Sequence, residues 1–348
     1  MSGKGLITRP RNSISVCYLI DVLPGKFRGG GQTHLVNLVR RLKRPGLAAA
    51  ARPGLNIFGG QGPQVILRFF WMIYVIPQVI FHYFFLQRFD LIHAHSVPAM
   101  AAGKILSLIL GIPIVVTVHG AWMKSWLEKI VLTKIKYDAQ ITVSRNFLEV
   151  PNINKNVVYI PNGVDLDVFK GPALPRQGRA LSHKIVLFVG RMNDPAKGFK
   201  ILEEAMKLVE REVPEAKLLV ADGSVPETEV VKMYWAADLF VLPSLSEGFP
   251  LTLLEAWAAK LPVVATAVGE IPHLFGVGSF ANFQQEVYET ANGYVVKPGN
   301  VKSLAKAITL ALSNKHLDKL GENGYNLAKE YTWERVARET LKVYQKIC

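Results

Sequence analysis

Apolar positions in the chain form short runs that alternate with longer stretches of helical periodicity. Short apolar runs bounded by turn residues predict buried strands, and the periodic stretches predict amphipathic helices. Strict alternation of the two is typical of parallel βαβ units. In the first half we predict strands at 13–20, 90–93, 114–118, 139–143 and 157–160, and helices at 33–42 and 126–136.

A second alternating series follows a segment, 170–183, that is rich in proline, glycine and basic residues and is typical of a linker. We therefore predict an α/β protein with two doubly wound, Rossmann-like domains, 1–175 and 176–330, facing each other across a cleft. Ligands of such sheets bind at the carboxyl ends of the strands. In the second half we predict strands at 184–189, 217–221, 239–242 and 263–266, and helices at 200–213, 251–260, 301–312 and 333–347.

The segment 69–87 lacks Asp, Glu, Lys and Arg and approaches the shortest length that spans a bilayer. Pro77, Gln78 and His82 interrupt it, and arginines flank both sides. We predict a buried or an interfacial helix, and a membrane span stays open as the alternative.

The net charge limits the classes of ligand that the protein is expected to bind, and the cysteine content indicates its cellular location. The chain of 348 residues has a net charge of +14, which favours phosphates or acidic lipid head groups, although a solvated basic surface is an alternative. No zinc-finger spacing or RNA-binding aromatic motif is present, so nucleic acid is not expected. Cys17 and Cys348 lie far apart, which excludes a disulfide framework and a cysteine zinc site, and we expect a cytoplasmic protein.

Two loops contain residues suited to phosphate binding. Gly30 and Gly31 lie between the first strand and a helix, where the backbone and the helix N-terminus can approach an anion. Arg191 and Lys197 follow the strand 184–189 and could hold a diphosphate without metal. Mobile or solvated loops explain both segments equally well.

The most specific segment is 243–256, which leaves a strand and enters a helix. Glu247 lies in the loop and could accept hydrogen bonds from sugar hydroxyls, and Glu255, expected about two turns into the helix, from ribose hydroxyls. A helix-cap carboxylate with an unrelated surface glutamate is the alternative. Backbone N–H groups that open the helix towards the cleft are those of Gly248, Phe249 and Leu251.

Two further groups suggest metal ligands. Asp165 and Asp167 form a lone Asp-x-Asp, but no further acidic ligand is near in sequence. His93 and His95 lie at a strand end, and we expect them on opposite faces, which disfavours a shared ion. We therefore expect no metal site.

Glu247 and Glu255, with seven residues between them, resemble the Glu-x7-Glu signature of retaining GT-B glycosyltransferases, the family 4-like class also called glycosyl transferases group 1. The resemblance extends over most of the chain. Further segments similar to the family are 30–34, 90–95, 116–120, 160–165, 189–191 with 197–198, 237–244, and 333–344.

The resemblance implies the GT-B fold and a retaining transfer of sugar from a nucleotide-diphosphate donor to an acceptor hydroxyl, without a cofactor or metal. It also implies that residues 331–348 form a terminal helix that packs back on the N-terminal domain. The implied roles are diphosphate binding by Arg191 and Lys197, orientation of the sugar by Glu247, ribose binding by Glu255, approach to the donor by Gly30 and Gly31, and contact with the sugar's 6-hydroxyl side by His119.

Three segments depart from the family pattern. The stretch 224–233 is short where a further helix and strand usually help to enclose the base, so a UDP-, GDP- or ADP-sugar all stay open. The segment 43–62 resembles a loop where a strand is expected. The segment 276–291 is unusually long and could cover the cleft or serve as an acceptor loop.

The acceptor is expected to be a saccharide or a lipid-linked glycan. The net charge, the basic stretch 124–136 and the apolar segment 69–87 suggest peripheral binding to the inner face of an anionic membrane. Two alternatives to glycosyl transfer stay open: a degenerate, non-catalytic sugar-nucleotide-binding protein, and a sugar-nucleotide epimerase or hydrolase of the same architecture.

Overall fold

The computed structural model describes residues 14–22, 30–43, 56–60, 65–120, 126–171, 183–278 and 285–348. These residues form two six-stranded sheets, one in each half of the chain. Most strands are buried on both faces, as expected of parallel strands covered by helices. The prediction of two doubly wound α/β domains is confirmed.

The N-terminal sheet is entirely parallel, in the order β2-β1-β3-β4-β5-β6. Its strands are β1 (Val16–Val22), β2 (Asn56–Gly60), β3 (Leu91–Ala94), β4 (Ile114–Val118), β5 (Ala139–Thr142) and β6 (Val157–Tyr159). The helices of this half are α1 (Gly30–Leu42), α2 (Val65–Phe85), α3 (Val97–Leu110), α4 (Trp126–Thr133), a 3-10 helix (Arg145–Glu149) and α5 (Leu166–Phe169).

The C-terminal sheet has the order β11-β12-β10-β9-β7-β8, and only its edge strand β11 is antiparallel. Its strands are β7 (Lys184–Val189), β8 (Ala216–Ala221), β9 (Leu239–Leu242), β10 (Val263–Thr266), β11 (Val287–Thr290) and β12 (Gly293–Val296). Its helices are a 3-10 helix (Pro195–Lys197), α6 (Phe199–Glu212), α7 (Glu227–Ala236), α8 (Leu251–Ala258), α9 (Ile271–Leu274), α10 (Val301–Ser313), α11 (Leu317–Ala328) and α12 (Trp333–Ile347).

The last helix, α12, packs on the N-terminal domain although it follows the C-terminal domain in sequence. Trp333, Leu341 and Tyr344 join the core between α1 and the first sheet. The return crossing runs beside the segment that leads out of the first domain: Val164 N–H donates to Tyr331 O over 2.9 Å. A side chain at Gly163 would lie 2.5 Å from the nitrogen of Trp333, so this crossing is tightly packed.

The described parts of the segments that depart from the family pattern contain two strands and a helix. The prediction of a loop over 43–62 is wrong for residues 56–60, which form β2 at the sheet edge, while 44–55 and 61–62 lie outside the described residues. Between β8 and β9 the chain forms α7 and no strand. The long segment 276–291 contributes β11, and its residues 279–284 also lie outside the described residues.

The apolar segment 69–87 lies largely in α2, which packs against α3. Val75 and Val79 face the core. Among the helices that the structure describes, none combines the length and the apolar character needed to cross a bilayer.

Candidate active site

Lys197 and Glu247 meet at the carboxyl end of the second sheet. Lys197 Nζ donates to Glu247 Oε1 over 2.7 Å, and Ser244 Oγ donates to the same oxygen, also over 2.7 Å. The Glu247 side chain is 10% exposed and that of Lys197 is 29% exposed. Because both donors use Oε1, the second carboxylate oxygen, Oε2, is left to accept a hydrogen bond from a ligand.

Lys197 owes its position to a tight turn between β7 and α6. Asp194 caps the short 3-10 helix by accepting from Ala196 N–H, and Gly198 ends that helix in the left-handed region, with φ of +66°. A side chain at Gly198 would also overlap the carbonyl oxygen of Pro243. Only glycine therefore allows the loop of Lys197 to lie against the strand end that carries Glu247.

Arg191 does not join this pair. Its guanidinium donates to Asp194 Oδ2 over 2.6 Å, and its side chain is 64% exposed. Among the described residues its ion pair is thus with Asp194 and not with either glutamate. An exposed arginine with a weak partner on the same loop can still turn towards a bound anion, because such a surface pair contributes little.

Glu255 is the fifth residue of α8, so the expectation of two turns into the helix is wrong, and one turn separates it from the helix start. Tyr234 Oη donates to Glu255 Oε2 over 2.9 Å. Burial, together with the charge of Glu227, outweighs this hydrogen bond and raises the pKa of Glu255 to about 7. A carboxyl that is protonated near neutral pH can both donate and accept hydrogen bonds.

The raised pKa of Glu255 predicts a pH-dependent stability. From about pH 4.5 to about pH 7 the folded protein keeps a proton that the unfolded chain releases, so stability falls as the pH rises through this window. Glutamine cannot ionise, so we expect Glu255→Gln to abolish this decrease in the unfolding free energy, which amounts to up to about 3 kcal/mol. The measurement is the unfolding free energy of both proteins between pH 4 and 8, with Glu286→Gln, an exposed carboxylate, as the control. Parallel curves for all three proteins would contradict the prediction.

Four buried or half-buried histidines lie beneath the cleft on the N-terminal side. The ring centroids of neighbouring histidines lie 4.1 to 5.7 Å apart: His34 is on α1, His93 in β3, His95 directly after β3, and His119 directly after β4. Burial lowers the pKa of His34 to about 4 and lowers the pKa of the other three well below the usual value. The cluster is therefore neutral at physiological pH.

The expectation that His93 and His95 lie on opposite faces is wrong. Their rings lie 4.1 Å apart, because side chains two positions apart on a strand share a face. A shared metal ion is disfavoured for a different reason: both ring nitrogens of His93 are engaged, by Tyr344 Oη at 2.5 Å and Thr117 Oγ1 at 2.7 Å.

His119 connects the cluster to the first glycine turn. His95 Nδ1 and His119 Nε2 are hydrogen-bonded over 3.3 Å, and the opposite nitrogens, His95 Nε2 and His119 Nδ1, have no partner among the described residues. A side chain at Gly31 would lie 3.3 Å from the His119 ring, whereas one at Gly30 would meet no atom of the described residues within 4 Å. Helix α1 begins three residues earlier than predicted.

The backbone around Gly248 contacts the N-terminal domain directly. A side chain at Gly248 would overlap the carbonyl oxygen of His119. Asn162 links the domains beside it: its Oδ1 lies 2.9 Å from His34 Nδ1, and its Nδ2 donates to Phe249 O over 2.9 Å. Phe249 is buried, and Leu251 opens α8 as predicted. These contacts bring the predicted site segments of both domains together.

A second contact between the domains was not found from the sequence. Glu270, which is fully buried, accepts from Arg145 Nη1 over 2.7 Å, from Tyr159 Oη over 3.2 Å and from the backbone N–H of Arg145. The Glu270 N–H in turn donates to Gly248 O over 3.0 Å. No sequence motif marks Arg145 and Glu270 as partners, because they are 125 positions apart.

The Asp-x-Asp sequence that begins at Asp165 has a structural role. Asp165 pairs with the buried Arg41 over 2.5 Å, and Arg41 also contacts Glu334 on α12 over 3.2 Å. Within the described ranges no group of three or more His, Cys, Asp or Glu side chains is arranged to hold a metal ion.

Comparison with known proteins agrees with this architecture. Residues 28–168 match Glycosyltransferase Family 4, and residues 222–327 match Glycosyl transferases group 1. Over 296 residues the chain is 28% identical to a phosphatidyl-myo-inositol mannosyltransferase of Mycobacterium tuberculosis, covering 74% of each protein.

Two solved structures show the same fold. Sucrose-phosphate synthase of Thermosynechococcus elongatus superposes with a TM-score of 0.72 at 20% identity, over 96% of this chain and 98% of that one. Anabaena HepE in complex with UDP-glucose gives a TM-score of 0.69 at 17% identity, over 96% and 100%. The fold is therefore GT-B, with two Rossmann-like domains. The chain belongs to the family 4-like glycosyltransferases of this fold.

Proposed function

We propose that the protein is a retaining, metal-independent glycosyltransferase that moves a sugar from a nucleotide-diphosphate sugar to an acceptor hydroxyl. The contact between Lys197 and Glu247 carries this proposal. A lysine positioned by a glycine turn can neutralise a diphosphate, and the carboxylate beside it can hold a hydroxyl of the attached sugar. Both groups lie where ligands of doubly wound sheets bind.

The remaining residues take complementary roles in the proposal. Arg191 turns from Asp194 towards the diphosphate, and Glu255 accepts from the ribose hydroxyls. The Gly248, Phe249 and Leu251 N–H groups and the start of α1 at Gly30 and Gly31 present hydrogen-bond donors to the diphosphate. His119, held by His95, contacts the transferred sugar from the opposite domain.

The proposed reaction replaces the nucleotide on the same face of the sugar. Glu247 is already engaged by two donors, which suits it to hydroxyl binding better than to covalent attack. In an oxocarbenium-like transition state the departing phosphate gains negative charge and takes the acceptor proton. Lys197 and Arg191 stabilise that charge in place of a metal ion, which is electrostatic preorganisation.

Two of these similar proteins support parts of the proposal. The complex of HepE with UDP-glucose supports a nucleotide-sugar donor, and the mycobacterial mannosyltransferase, by its name, acts on a lipid. The identity of the donor base is to be determined by experiment. The single helix α7 stands where a helix and a strand were expected to enclose the base.

A donor panel tests the proposed function. UDP-, GDP- and ADP-sugars are screened by thermal shift, and the stabilising donor is incubated with saccharide and glycolipid acceptors. We expect one donor to raise Tm, transfer to persist in EDTA, and the anomeric proton of the product to show the donor's configuration by NMR. Binding without product would favour a non-catalytic protein, an epimerised sugar nucleotide would favour an epimerase, and free sugar with nucleotide would favour a hydrolase. A product of inverted configuration would contradict the retaining mechanism.

A further inference from the structure

Exposed apolar side chains are concentrated on three neighbouring helices of the N-terminal domain. Of the seventeen large apolar side chains that lie exposed among the described residues, eleven belong to α2, α3, α4 and the residue after α2. Single exposed apolar residues are ordinary, but a contiguous group marks an interaction surface. We call this group the apolar face: Ile73, Tyr74, Phe81, Phe84, Phe85, Leu86, Ile105, Leu108, Ile109, Trp126 and Ile130.

Helix α2 is apolar on both sides. Val75 and Val79 pack into the domain core, while Tyr74, Phe81 and Phe85 form an outward stripe at helical spacing. The Phe81 and Phe85 rings stack on each other with centroids 4.9 Å apart. A helix that only covers a core carries polar residues on its outer side, so the outer side of α2 is built for an apolar environment.

The apolar face continues across the neighbouring helices. Helix α3 packs between α2 and α4, and it presents Leu108, 72% exposed, beside Ile105 and Ile109. On α4 the Trp126 side chain is 74% exposed. The apolar face thus extends over three adjacent helices of one domain, which suits a partner with a broad apolar surface.

Cations accompany the apolar face. Between residues 73 and 137 the described side chains include two acidic groups, Asp90 and Glu128, against five basic ones. Aromatic side chains with lysines and arginines at the margin are typical of proteins that lie in the headgroup region of a bilayer. The basic residues are Arg88, Lys104, Lys129, Lys134 and Lys136.

We propose that the apolar face docks on a membrane leaflet that contains anionic phospholipids, with the aromatic side chains inserted among the acyl chains and the lysines on the head groups. A second copy of the chain is a poorer occupant. Each copy carries a net charge of +14, and a symmetric contact would bring the two cationic margins together. The proposal concerns binding alone and does not depend on the proposed reaction.

Vesicle sedimentation with the full chain tests the proposal. We expect binding to vesicles of phosphatidylcholine mixed with phosphatidylglycerol, weaker binding to phosphatidylcholine alone, and a decrease with salt. The substitutions Phe81→Ser, Phe85→Ser and Leu108→Ser together should lower the partition coefficient more than tenfold, since each removes an inserted group. The control variant carries Val168→Ser and Leu310→Ser, two positions that are exposed outside the apolar face.

A second set of variants separates local charge from net charge. Lys129→Gln, Lys134→Gln and Lys136→Gln should reduce binding to the mixed vesicles about fivefold per lysine at low salt. Lys302→Gln, Lys315→Gln and Lys319→Gln change the net charge equally in the other domain and should leave binding nearly unchanged. Circular dichroism and Tm confirm that every variant is folded.

Three outcomes would overturn the proposal. The apolar face would be excluded as a lipid-binding surface if the wild-type protein did not bind the mixed vesicles. It would also be excluded if the serine variants bound them as well as the wild type does. Dimers in analytical ultracentrifugation that the serine variants abolish would assign the face to a second copy instead.

Discussion

Glu247→Gln is expected to lower kcat about 10²- to 10³-fold while the fold is retained. Glutamine keeps the size of the side chain but removes the charge that holds Lys197 at 2.7 Å, and its amide is a weaker acceptor for a sugar hydroxyl. In the proposed mechanism the contacts of Glu247 strengthen as the sugar gains positive charge, so we expect the substitution to weaken the transition state more than donor binding. The measurement is kcat and KM with the donor identified by the panel.

Glu322→Gln is the matched control. Glu322 forms a comparable ion pair with Lys260 over 2.8 Å in the same domain, but both partners are about half exposed and lie outside the candidate site. We expect its kcat to equal that of the wild type and the Tm of both variants to stay close to it. A Glu247→Gln enzyme that keeps more than about a tenth of wild-type activity would remove Glu247 from its proposed role.

Gly248→Ala is expected to lower kcat about 100-fold without unfolding either domain. The added methyl group would overlap the carbonyl oxygen of His119 across the cleft, so the domains would have to separate. A displacement of about 1 Å between reacting groups costs about 10²-fold in rate. We expect Tm to change little, nucleotide binding to persist, and small-angle scattering to report a larger radius of gyration.

Gly324→Ala provides the contrast. Its added methyl group would overlap the indole ring of Trp257, which is fully buried in the C-terminal domain. We expect a lower Tm and an unchanged kcat for the folded fraction. If Gly248→Ala instead lowered Tm as much as Gly324→Ala and kept its kcat, the contact at Gly248 would be structural only.

The order of elements could be predicted because parallel strands covered on both sides are apolar runs. Helix α3 was missed, and its outward residues explain why: Ile105, Leu108 and Ile109 are exposed, so the segment lacks the polar side that gives a helix its periodicity. Strand β2 was missed because an edge strand of five residues with two glycines carries little apolar signal.

The site could be predicted only where its residues follow strands. Lys197 and Glu247 come after β7 and β9, which are neighbours in the sheet, so their meeting follows from topology. The orientation of Arg191 towards Asp194 and the linkage of His34 to Phe249 through Asn162 depend on packing between domains. Local sequence patterns do not encode such contacts.

The return of α12 to the first domain has a mechanical consequence. The polypeptide passes between the domains twice, and the two passages run side by side where Val164 pairs with Thr332. Two backbone segments that are bonded to each other restrict the relative motion of the domains more than a single connection would. We therefore expect the domains to move mainly by opening and closing the contact between Gly248 and His119.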